Sequence, residues 1–575
     1  MRRFALAAAA TLVAPLAGVL VVGGAGTSAA APAGGPESRY VVVLNDGAAG
    51  LAAVRRLGGT VVSENAAVGV ASVVTRNPSF ATQAAAERSL FGVSRDVAIG
   101  RAPGAGDSRS RAASGVVRER LESAAAPGAP AAAVPAAAPG AEPLSADQWD
   151  MRMMDATPTG SYRVETGRKG VTVGIIDTGV DGTHPDIAPN FDRALSRNFV
   201  TDLPVDSNGE ELDGPCEFAS CKDPVDHDDD GHGTHVASTI GSPQNGVGIA
   251  GVAPNVRLVN IRAGQDSGYF FLLPTLDALT YAAQAGIDVV NMSFYTDPWL
   301  FNCAANPKDS PQQQAQQRAV IEATQRAVRY ARDHGVTLVS ASGNEQTDLG
   351  NPTLDETSPD YPQTGAAYPR DIDNSCLSMP TEADGVVVVN AVGRSGRLAY
   401  YSNYGTEQTN VAAPGGDRRE GYGTPYYDQA SNRILAAYPR NVGVATGNIN
   451  PRTGAVIPQE GEYIVRSCAG VGDCSYYQYI QGTSMAAPHA AGVAALIVSR
   501  YGTADPVHGG LTMSPTRVQR VLQQTATETA CPTPRRFTYD DPAYADYHPY
   551  CAGTPQFNGF FGHGIVNALR AVTAG

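Results

Sequence analysis

The chain has 575 residues, of which 43% are hydrophobic and 17% are charged, and its formal net charge is −14 at pH 7. This length is enough for one large core and a smaller second domain. The negative charge argues against a nucleic-acid partner and against anionic membrane surfaces. The eight cysteines, an even number, are typical of an oxidising compartment.

The N-terminus has the pattern of a secretory signal. Arg2 and Arg3 precede an apolar stretch at 4–22, and small residues follow around Ala30. This order predicts a signal peptide over residues 1–31 that is cleaved at an Ala-x-Ala type of site. An uncleaved anchor is the alternative, but the many alanines would make a weak membrane span. We therefore expect a secreted, extracellular protein with no membrane contact after cleavage.

A small α+β domain is predicted over residues 32–100, followed by a linker over 101–143. The linker is dominated by Ala, Pro, Gly and Arg, a composition that cannot bury a core. A small domain on such a linker is either a binding module or a removable pro-segment. The predicted elements of the small domain are a strand at 40–44, a turn at 45–47, a strand at 68–74, a helix at 79–90 and apolar segments at 92–93 and 97–99.

Continuous apolar runs separated by helical patterns fill the remaining residues, 144–575. Such runs are typical of parallel strands buried on both faces, and their alternation with helices predicts an α/β fold with a mostly parallel sheet. Sites in such sheets lie at the carboxyl ends of the strands, where Asp177, Asn291 and Asn344 occur. The predicted strands are 171–176, 258–261, 289–292, 337–340 and 386–389, and the predicted helices are 233–240, 273–285, 312–334 and 485–499.

Three residues lie in contexts that suit nucleophilic catalysis. Ser484 stands at the start of the Ala-rich helix, where free N–H groups and the helix dipole favour developing negative charge, and Pro488 is placed in the first turn. His232 is flanked by glycines just before a helix, and Asp177 follows the first strong strand. Asn344 could offer its side-chain amide to an oxyanion.

The order of these residues along the chain separates them from other serine hydrolases. The order is Asp177, His232, Ser484, which differs from that of chymotrypsin-type enzymes and from that of α/β-hydrolases. The segment Gly482–Ala486 also lacks the Gly-x-Ser-x-Gly pattern of lipases and esterases. An EF-hand reading of the acidic run at 226–231 is rejected because Ala stands where that loop needs its closing Glu.

The cysteines do not indicate metal or redox chemistry, because none occurs in a Cys-x-x-Cys motif. No organic cofactor is expected. Sequence alone leaves many pairings open. Pairing of near neighbours suggests Cys216–Cys221, Cys468–Cys474 and Cys531–Cys551, with Cys303–Cys376 left by elimination.

With these motifs the chain resembles the subtilisin-like serine peptidases, the subtilase family, and particularly its secreted actinobacterial members. The resemblance covers about residues 148–573. It implies a three-layer subtilisin-like sandwich in which Asp177 orients His232, His232 acts as general base and then acid, and Ser484 is the nucleophile. Asn344 and the N–H of Ser484 would hold the oxyanion. The motifs that carry the resemblance are 177–181, 232–237, 342–345, 482–489 and 562–568.

The resemblance also implies where a peptide substrate binds. Its backbone would add as a strand between 265–268 and 293–295, close to Ser342 and Gly343. Tyr295 stands where the family usually has Gly, so the P1 preference is not predicted. The segments 345–385 and 416–475 are longer than a minimal subtilase needs and would rim the cleft. The implied substrate-binding residues are Ser267, Gly268, Ser293, Phe294, Tyr295, Ser342 and Gly343.

A prodomain and a calcium site complete the expectations from the resemblance. Residues 32–100 would be an inhibitory prodomain and folding chaperone, so that the protein is a self-processed, monomeric endopeptidase acting on proteins or peptides. Dedicated processing of one precursor, such as removal of a leader peptide, is an alternative, and an inactive binding scaffold is a third. Calcium would bind Asp186, Asn245 and the carbonyls of Val247 and Ile249.

Overall fold

A computed structural model describes residues 37–96, 142–205, 211–296, 298–360, 367–458, 463–470 and 472–574. The predicted signal peptide and almost all of the predicted linker lie outside these residues. Within the described ranges, none of the helices combines the length and the apolar character needed to cross a bilayer.

The described residues begin with an N-terminal unit, residues 37–96. Its four strands form an antiparallel sheet in the order β2-β3-β1-β4. Alternate residues of β1 face opposite ways, because side chains along a strand alternate between the faces of a sheet. Val42 packs with α1 and α2, whereas Val41 and Val43 join the core of the large unit. The elements are β1 (Ser38–Leu44), α1 (Gly47–Arg56), β2 (Gly59–Asn65), β3 (Val70–Thr75), α2 (Phe80–Ala84) and β4 (Leu90–Arg95).

Several local predictions for this unit are wrong. A helix starts where the turn at 45–47 was predicted, since the Asp46 carboxylate accepts a hydrogen bond from Ala49 N at 2.8 Å and caps α1. The helix predicted at 79–90 is too long. Only α2 is helical in this range, and Leu90 already belongs to β4. Strand β2 was not predicted because most of its residues are exposed and it lacks a clean apolar alternation.

The large unit, residues 142–574, contains the remaining elements. Its first half contains α3 (Trp149–Met153), β5 (Thr172–Ile176), β6 (Arg197–Asn198), α4 (His232–Gly241), β7 (Arg257–Arg262), α5 (Leu272–Gln284), β8 (Val289–Met292), β9 (Asn302–Cys303), α6 (Pro311–Asp333), β10 (Thr337–Ala341), β11 (Leu354–Asp355), β12 (Arg370–Asp371) and β13 (Cys376–Leu377). Its second half contains β14 (Val387–Val392), β15 (Thr409–Pro414), β16 (Ile434–Ala437), α7 (Arg440–Ala445), β17 (Ile464–Gly470), β18 (Asp473–Ile480), α8 (Thr483–Tyr501), β19 (Thr503–Ala504), β20 (Leu511–Thr512), α9 (Pro515–Thr525) and α10 (Ala568–Thr573).

A parallel sheet of seven strands lies at the centre, in the order β15-β14-β10-β8-β5-β7-β6. One face packs against α4 and α8, and the other packs against α5 and α6. Strands buried on both faces contain mainly apolar residues in near-continuous runs, which is why the five predicted strands correspond to real ones. The three-layer α/β fold is therefore confirmed. Strands β6 and β15 were not predicted, since β6 has two polar residues and β15 opens with Thr409 and Asn410.

Helix α8 runs through the core, and every residue from Thr483 to Ser499 is buried. The placement of Pro488 in the first turn is wrong, because the helix already begins at Thr483. Proline has no N–H, so Pro488 cannot donate the helical hydrogen bond that the Ser484 carbonyl would otherwise accept. The Ser293 hydroxyl supplies the missing donor at 3.0 Å, and Asn291 Nδ2 in turn donates to that hydroxyl at 2.8 Å. These bonds connect the start of α8 to the end of β8.

Two long inserts and four disulfides lie around this core. The disulfides match the suggested pairing, and the described residues contain no free cysteine. Cys303–Cys376 joins β9 to β13 across 73 residues of chain. The insert 345–385 contains β11, β12 and β13, and the insert 416–475 contributes to a separate sheet in the order β16-β18-β17.

Candidate active site

Asp177 and His232 form a buried hydrogen-bonded pair at the carboxyl end of β5. His232 Nδ1 lies 2.7 Å from Asp177 Oδ1, and neither side chain is exposed to solvent. The sequence placed His232 just before a helix, and it is the first residue of α4. A Cβ at Gly233 would lie 2.1 Å from the Gly179 carbonyl oxygen. Glycine at that position therefore lets α4 approach the strand end closely enough for the bond to form.

Asp228, which was not predicted to be a site residue, holds the loop that leads to His232. Its Oδ1 accepts hydrogen bonds from Thr178 Oγ1 at 3.3 Å and from Gly231 N at 2.9 Å. Its Oδ2 accepts a hydrogen bond from Thr234 N at 3.0 Å. This carboxylate therefore links Thr178, the residue after Asp177, to Gly231 and Thr234 on either side of His232. Only its position in the acidic run 226–230 could have indicated it.

The acidic surroundings favour the charged form of the histidine. Burial alone would lower the pKa of His232, but the Asp177 carboxylate, its hydrogen bond and the charges of Asp230 and Asp228 raise the pKa above its ordinary value. Burial and the Asp228 charge also raise the pKa of Asp230, to about 7. His232 Nε2, on the other side of the ring, is buried and has no hydrogen-bond partner among the described residues.

Ser484 lies in the first turn of α8, and its Oγ lies 3.4 Å from the Ser293 carbonyl oxygen. Asn344 Oδ1 accepts hydrogen bonds from the N–H and the hydroxyl of Thr483, each at 2.9 Å. A Cβ at Gly482 would lie 3.7 Å from Asn344 Nδ2 and 3.7 Å from Ser484 N. The Asn344 side-chain amide and the Ser484 backbone N–H therefore both lie beside Gly482. Thr483 was part of the motif in the sequence, but its contact with Asn344 could not be inferred from it.

Ser267 and Gly268 form part of a turn after β7. Ser267 donates to Asp213 Oδ1 from its N–H at 3.1 Å and from its hydroxyl at 2.7 Å. Gly268 N donates to the Gln265 carbonyl at 2.9 Å. Since both N–H groups already have acceptors within the protein, a docked peptide would have to use the carbonyl oxygens of these residues.

The other side of the expected cleft follows β8. Phe294 is buried and stacks on Phe270, with ring centroids 4.1 Å apart, so the segments on the two sides are joined through the core. Tyr295 packs against an apolar cluster formed by the segment 300–303, the neighbouring insert and the disulfide that joins them. The ring therefore lies against this cluster. The cluster contains Leu300, Phe301, Cys303, Leu349, Ile372 and Cys376.

Ser342 and Gly343 precede the candidate oxyanion donor. Ser342 Oγ donates to the Asn403 carbonyl at 3.2 Å, and Gly343 N donates to Thr483 Oγ1 at 3.1 Å. Asn403 Oδ1 also accepts hydrogen bonds from Glu345 N at 3.0 Å and from Thr347 N at 2.8 Å. Asn403, which the sequence did not indicate, therefore fixes the loop that carries Asn344.

Asp186 and the loop 245–249 lie together, as expected for a calcium site. Asp186 Oδ2 accepts hydrogen bonds from Ile249 N at 2.9 Å and from the Tyr477 hydroxyl at 2.7 Å. Asn245 Oδ1 accepts one from Val247 N at 2.9 Å. Burial raises the pKa of Asp186 to about 7, although these hydrogen bonds oppose the shift.

Two buried oxygens near this loop fit a hard cation. Asp186 Oδ1 and Glu142 Oε2 have no hydrogen-bond partner among the described residues. Glu142 was not among the expected ligands, yet it contacts backbone N–H groups of residues 245–247, and its charge raises the pKa of Asp186 further. Carboxylate oxygens without a partner are the ligands that calcium prefers.

The parallel sheet between two helical layers defines a three-layer α/β protein, and comparison with known proteins gives its family. The sequence profile of the Subtilase family matches residues 168–564. The chain belongs to the subtilase family of serine peptidases.

Known members are distant in sequence. The chain is 28% identical over 341 residues to the thermophilic serine proteinase of Bacillus sp. strain AK1, covering 59% of this chain and 55% of that protein. It is 27% identical over 363 residues to subtilisin DY of Bacillus licheniformis, covering 63% of this chain and 86% of that protein. The chain thus spans about half the length of the first relative and most of the second.

A solved structure with the same fold covers nearly the whole chain. The crystal structure of the epidermin leader peptide processing serine protease from Staphylococcus aureus superposes with a TM-score of 0.58, at 20% identity, over 93% of this chain and 98% of that one. At this identity the likeness shows the fold alone.

Proposed function

We propose that the protein is a serine endopeptidase that cleaves peptide bonds through an acyl-enzyme. His232 Nε2 takes the proton of the Ser484 hydroxyl, whose oxygen attacks the scissile carbonyl carbon. Asp177 holds the Nδ1–H and stabilises the imidazolium. His232 then gives the proton to the leaving amine, and a water molecule hydrolyses the ester with His232 again as base.

The negative charge on the carbonyl oxygen is held by two donors. These are Asn344 Nδ2 and Ser484 N, which both lie beside Gly482, and Thr483 orients the amide by donating twice to its oxygen. Removal of such a donor in subtilisin costs about 3 kcal/mol of transition-state stabilisation, and a loss of that order is expected for Asn344→Ala.

The observation that carries this proposal is the buried bond between His232 Nδ1 and Asp177 Oδ1, with the opposite ring nitrogen unpartnered. The test measures cleavage of casein and of a fluorogenic peptide by the purified protein. Ser484→Ala should abolish both activities, whereas Ser499→Ala, on the same helix, should keep them. Full activity of the Ser484→Ala protein would disprove the proposal.

The protein is further proposed to be a self-processed zymogen that is secreted as a monomer. The N-terminal unit docks on α5 and α6, where Arg326 Nη1 donates to the Leu44 carbonyl at 2.7 Å. Self-cleavage between about residues 101 and 148 would release this unit as an inhibitor. Intact mass and N-terminal sequencing should find this cut in the active protein and not in the Ser484→Ala protein. The same cut in both would contradict self-processing.

A second candidate function is the processing of one precursor, such as removal of a leader peptide. It is favoured by the packing of Tyr295 against the disulfide-linked insert, which adds a wall beside the expected cleft. Cleavage of a mixed peptide library distinguishes the two functions. A general endopeptidase should cut many sequences, whereas a precursor-processing enzyme should cut very few.

The protein is also proposed to hold a structural calcium ion at Asp186. The ligands would be Asp186, Asn245, the carbonyls of Val247 and Ile249, and Glu142. A bound cation would balance the buried carboxylates, and its role would be to stabilise the fold.

A further inference from the structure

A second buried pair of a carboxylate and an imidazole lies close to the nucleophile. His489 is on α8, the helix that carries Ser484, and its Nε2 lies 3.1 Å from Asp150 Oδ2 on α3. The exposed fraction is 0% for the His489 side chain and 1% for that of Asp150. The proposed mechanism uses neither residue.

The other ring nitrogen of His489 contacts the turn that contains the nucleophile. Nδ1 lies 2.7 Å from the carbonyl oxygen of Met485, the residue directly after Ser484. A carbonyl oxygen and a carboxylate oxygen are both acceptors, so the ring must donate from Nδ1 and share a second proton between Nε2 and Asp150. The bond at Nε2 thus orients the ring and keeps Nδ1 a donor.

Asp150 is held rigidly, because the residues before it are bonded to other parts of the large unit. Gln148 Nε2 donates to the Ala250 carbonyl at 2.8 Å, and Gln148 Oε1 accepts from Ala250 N at 3.2 Å. Trp149 Nε1 donates to the Arg433 carbonyl at 3.0 Å. The second carboxylate oxygen, Asp150 Oδ1, is buried without a hydrogen-bond partner among the described residues.

Two successive carbonyls at the start of α8 accept hydrogen bonds from side chains. The carbonyl of Ser484 accepts from the Ser293 hydroxyl, because Pro488 has no N–H. The carbonyl of Met485 accepts from the His489 ring. The backbone around the nucleophile is therefore fixed by one side chain from β8 and by one that α3 holds in place.

We propose that Asp150 and His489 are positioning residues for Ser484. Asp150 orients the imidazole, whose Nδ1–H holds the Met485 carbonyl and with it the first turn of α8. This inference rests on the peptidase function proposed above, in which Ser484 is the nucleophile. A misplacement of about 1 Å can slow a reaction about a hundredfold. Asp150 lies beyond the proposed cleavage region, so it would stay with the large unit after processing.

The test compares two matched pairs of variants of the full chain. One pair is Asp150→Asn and Asp150→Leu. The other is His489→Asn and His489→Leu, each combined with Asp150→Asn so that no buried carboxylate is left unpaired. Asn and Leu have the same branched shape, so the members of a pair differ in their polar atoms.

Two activities are measured for each protein. The first is kcat and KM for the fluorogenic peptide. The second is the rate of inactivation by phenylmethylsulfonyl fluoride, a small reagent that transfers its sulfonyl group to a reactive serine with loss of fluoride. This rate reports on the serine without depending on peptide binding. Circular dichroism should show that each variant is folded at the assay temperature.

Asp150→Asn should retain activity within about threefold of the wild type, because its amide N–H can donate to Nε2 and leave the proton on Nδ1. In that background His489→Asn should also be active, since its amide can donate to the Met485 carbonyl. His489→Leu has no donor and should lose at least about tenfold in kcat and in inactivation rate, with KM within about twofold.

Asp150→Leu leaves the ring without its second bond, and its kcat and inactivation rate should be at least about fivefold below those of Asp150→Asn. Each pair tests the proposal independently, so one unfolded variant does not remove the test.

Equal kcat values and equal inactivation rates within both pairs would overturn the proposal, since Asp150 and His489 would then only hold α3 against α8. A loss confined to KM would also overturn it, because such a loss concerns substrate binding and not the serine. In both cases an active wild type leaves the peptidase proposal intact. A wild type that neither cleaves the peptide nor reacts with the reagent, like the Ser484→Ala protein, would refute the peptidase proposal and this inference together.

Discussion

Pro488 breaks the hydrogen-bond pattern of α8 at the residue that the mechanism uses as nucleophile. The carbonyl of Ser484 loses its helical donor and accepts from the Ser293 hydroxyl instead, at 3.0 Å. The backbone of the nucleophile is thereby held by β8, which also leads into the expected substrate-binding residues. The exchange of a helical bond for a side-chain bond thus connects two parts of the site.

This exchange can be tested by a double-mutant cycle in the Ser484→Ala background. Ser293→Ala should lower the free energy of unfolding by about 1–3 kcal/mol, because it leaves a buried carbonyl without a donor. In a Pro488→Ala background the same change should cost less, since the alanine restores the helical N–H. Urea unfolding measures both costs and their coupling. Equal costs in the two backgrounds would show that the hydroxyl does not replace the helical donor.

Cleavage should depend on pH through the charge of His232. The net effect of burial and the nearby carboxylates is a raised pKa of His232, and the imidazole must be neutral to act as a base. Activity should therefore fall as the pH drops through this raised pKa. Because the pKa of Asp230 is itself raised to about 7, its negative charge is only partly present on the acid limb, and Asp230→Asn should move this limb of the kcat/KM profile to lower pH by a small amount.

Asp226→Asn is the matched control, since Asp226 is in the same acidic run but pairs with the exposed Arg193. Its acid limb should stay in place. A limb that does not move in the Asp230→Asn protein would mean that this carboxylate does not act on the base.

At the scale of elements, burial decides which parts of the fold the sequence could predict. The strands β5, β7, β8, β10 and β14 are buried on both faces, contain mainly apolar residues and could be located to within a few residues. Strand β2 and helix α1 could not, because their residues are largely exposed or small and give no clear period. Helix α8 was predicted, but it begins two residues earlier than expected. Pro488 therefore lies inside the helix and not in its first turn.

The disulfides are expected to stabilise the elements unequally. Cys303–Cys376 closes a segment of 73 residues, whereas Cys216–Cys221 closes one of 5. In the chain-entropy account the loss on removal is about 4 kcal/mol for the long segment and about 2 kcal/mol for the short one. Replacing both cysteines of each pair by serine, in the Ser484→Ala background, should therefore lower the melting temperature more for the first pair. The reverse order would mean that local packing outweighs loop closure.

At the scale of the whole molecule, the sequence predicted a small unit followed by a large one, but not their contact. Val41 and Val43 look like ordinary strand residues, and only the structure shows that they share a core with α5 and α6. The same holds for the site. The motifs identified Asp177, His232 and Ser484, whereas the contacts that position these residues join parts of the chain that are distant in sequence. Asp228, Thr483 and Asn403 act through contacts that no local pattern records.

The contact between the two units includes two side-chain hydrogen bonds from Asn65, and a single charged substitution should break both. Asn65 Nδ2 donates to Asp277 Oδ1 at 2.7 Å and to Thr280 Oγ1 at 2.6 Å, both on α5. Asn65→Asp would replace this donor with a carboxylate facing Asp277. We expect docking to weaken by at least about 1 kcal/mol. This raises the equilibrium constant for local opening, and with it the rate of amide exchange, about fivefold. Hydrogen exchange of the full Ser484→Ala chain should show this in α5 and β2, while the exposed neighbour change Glu64→Gln should leave it unaltered. Unchanged exchange in the Asn65→Asp protein would mean that the apolar contacts of β1 hold the units together without these two hydrogen bonds.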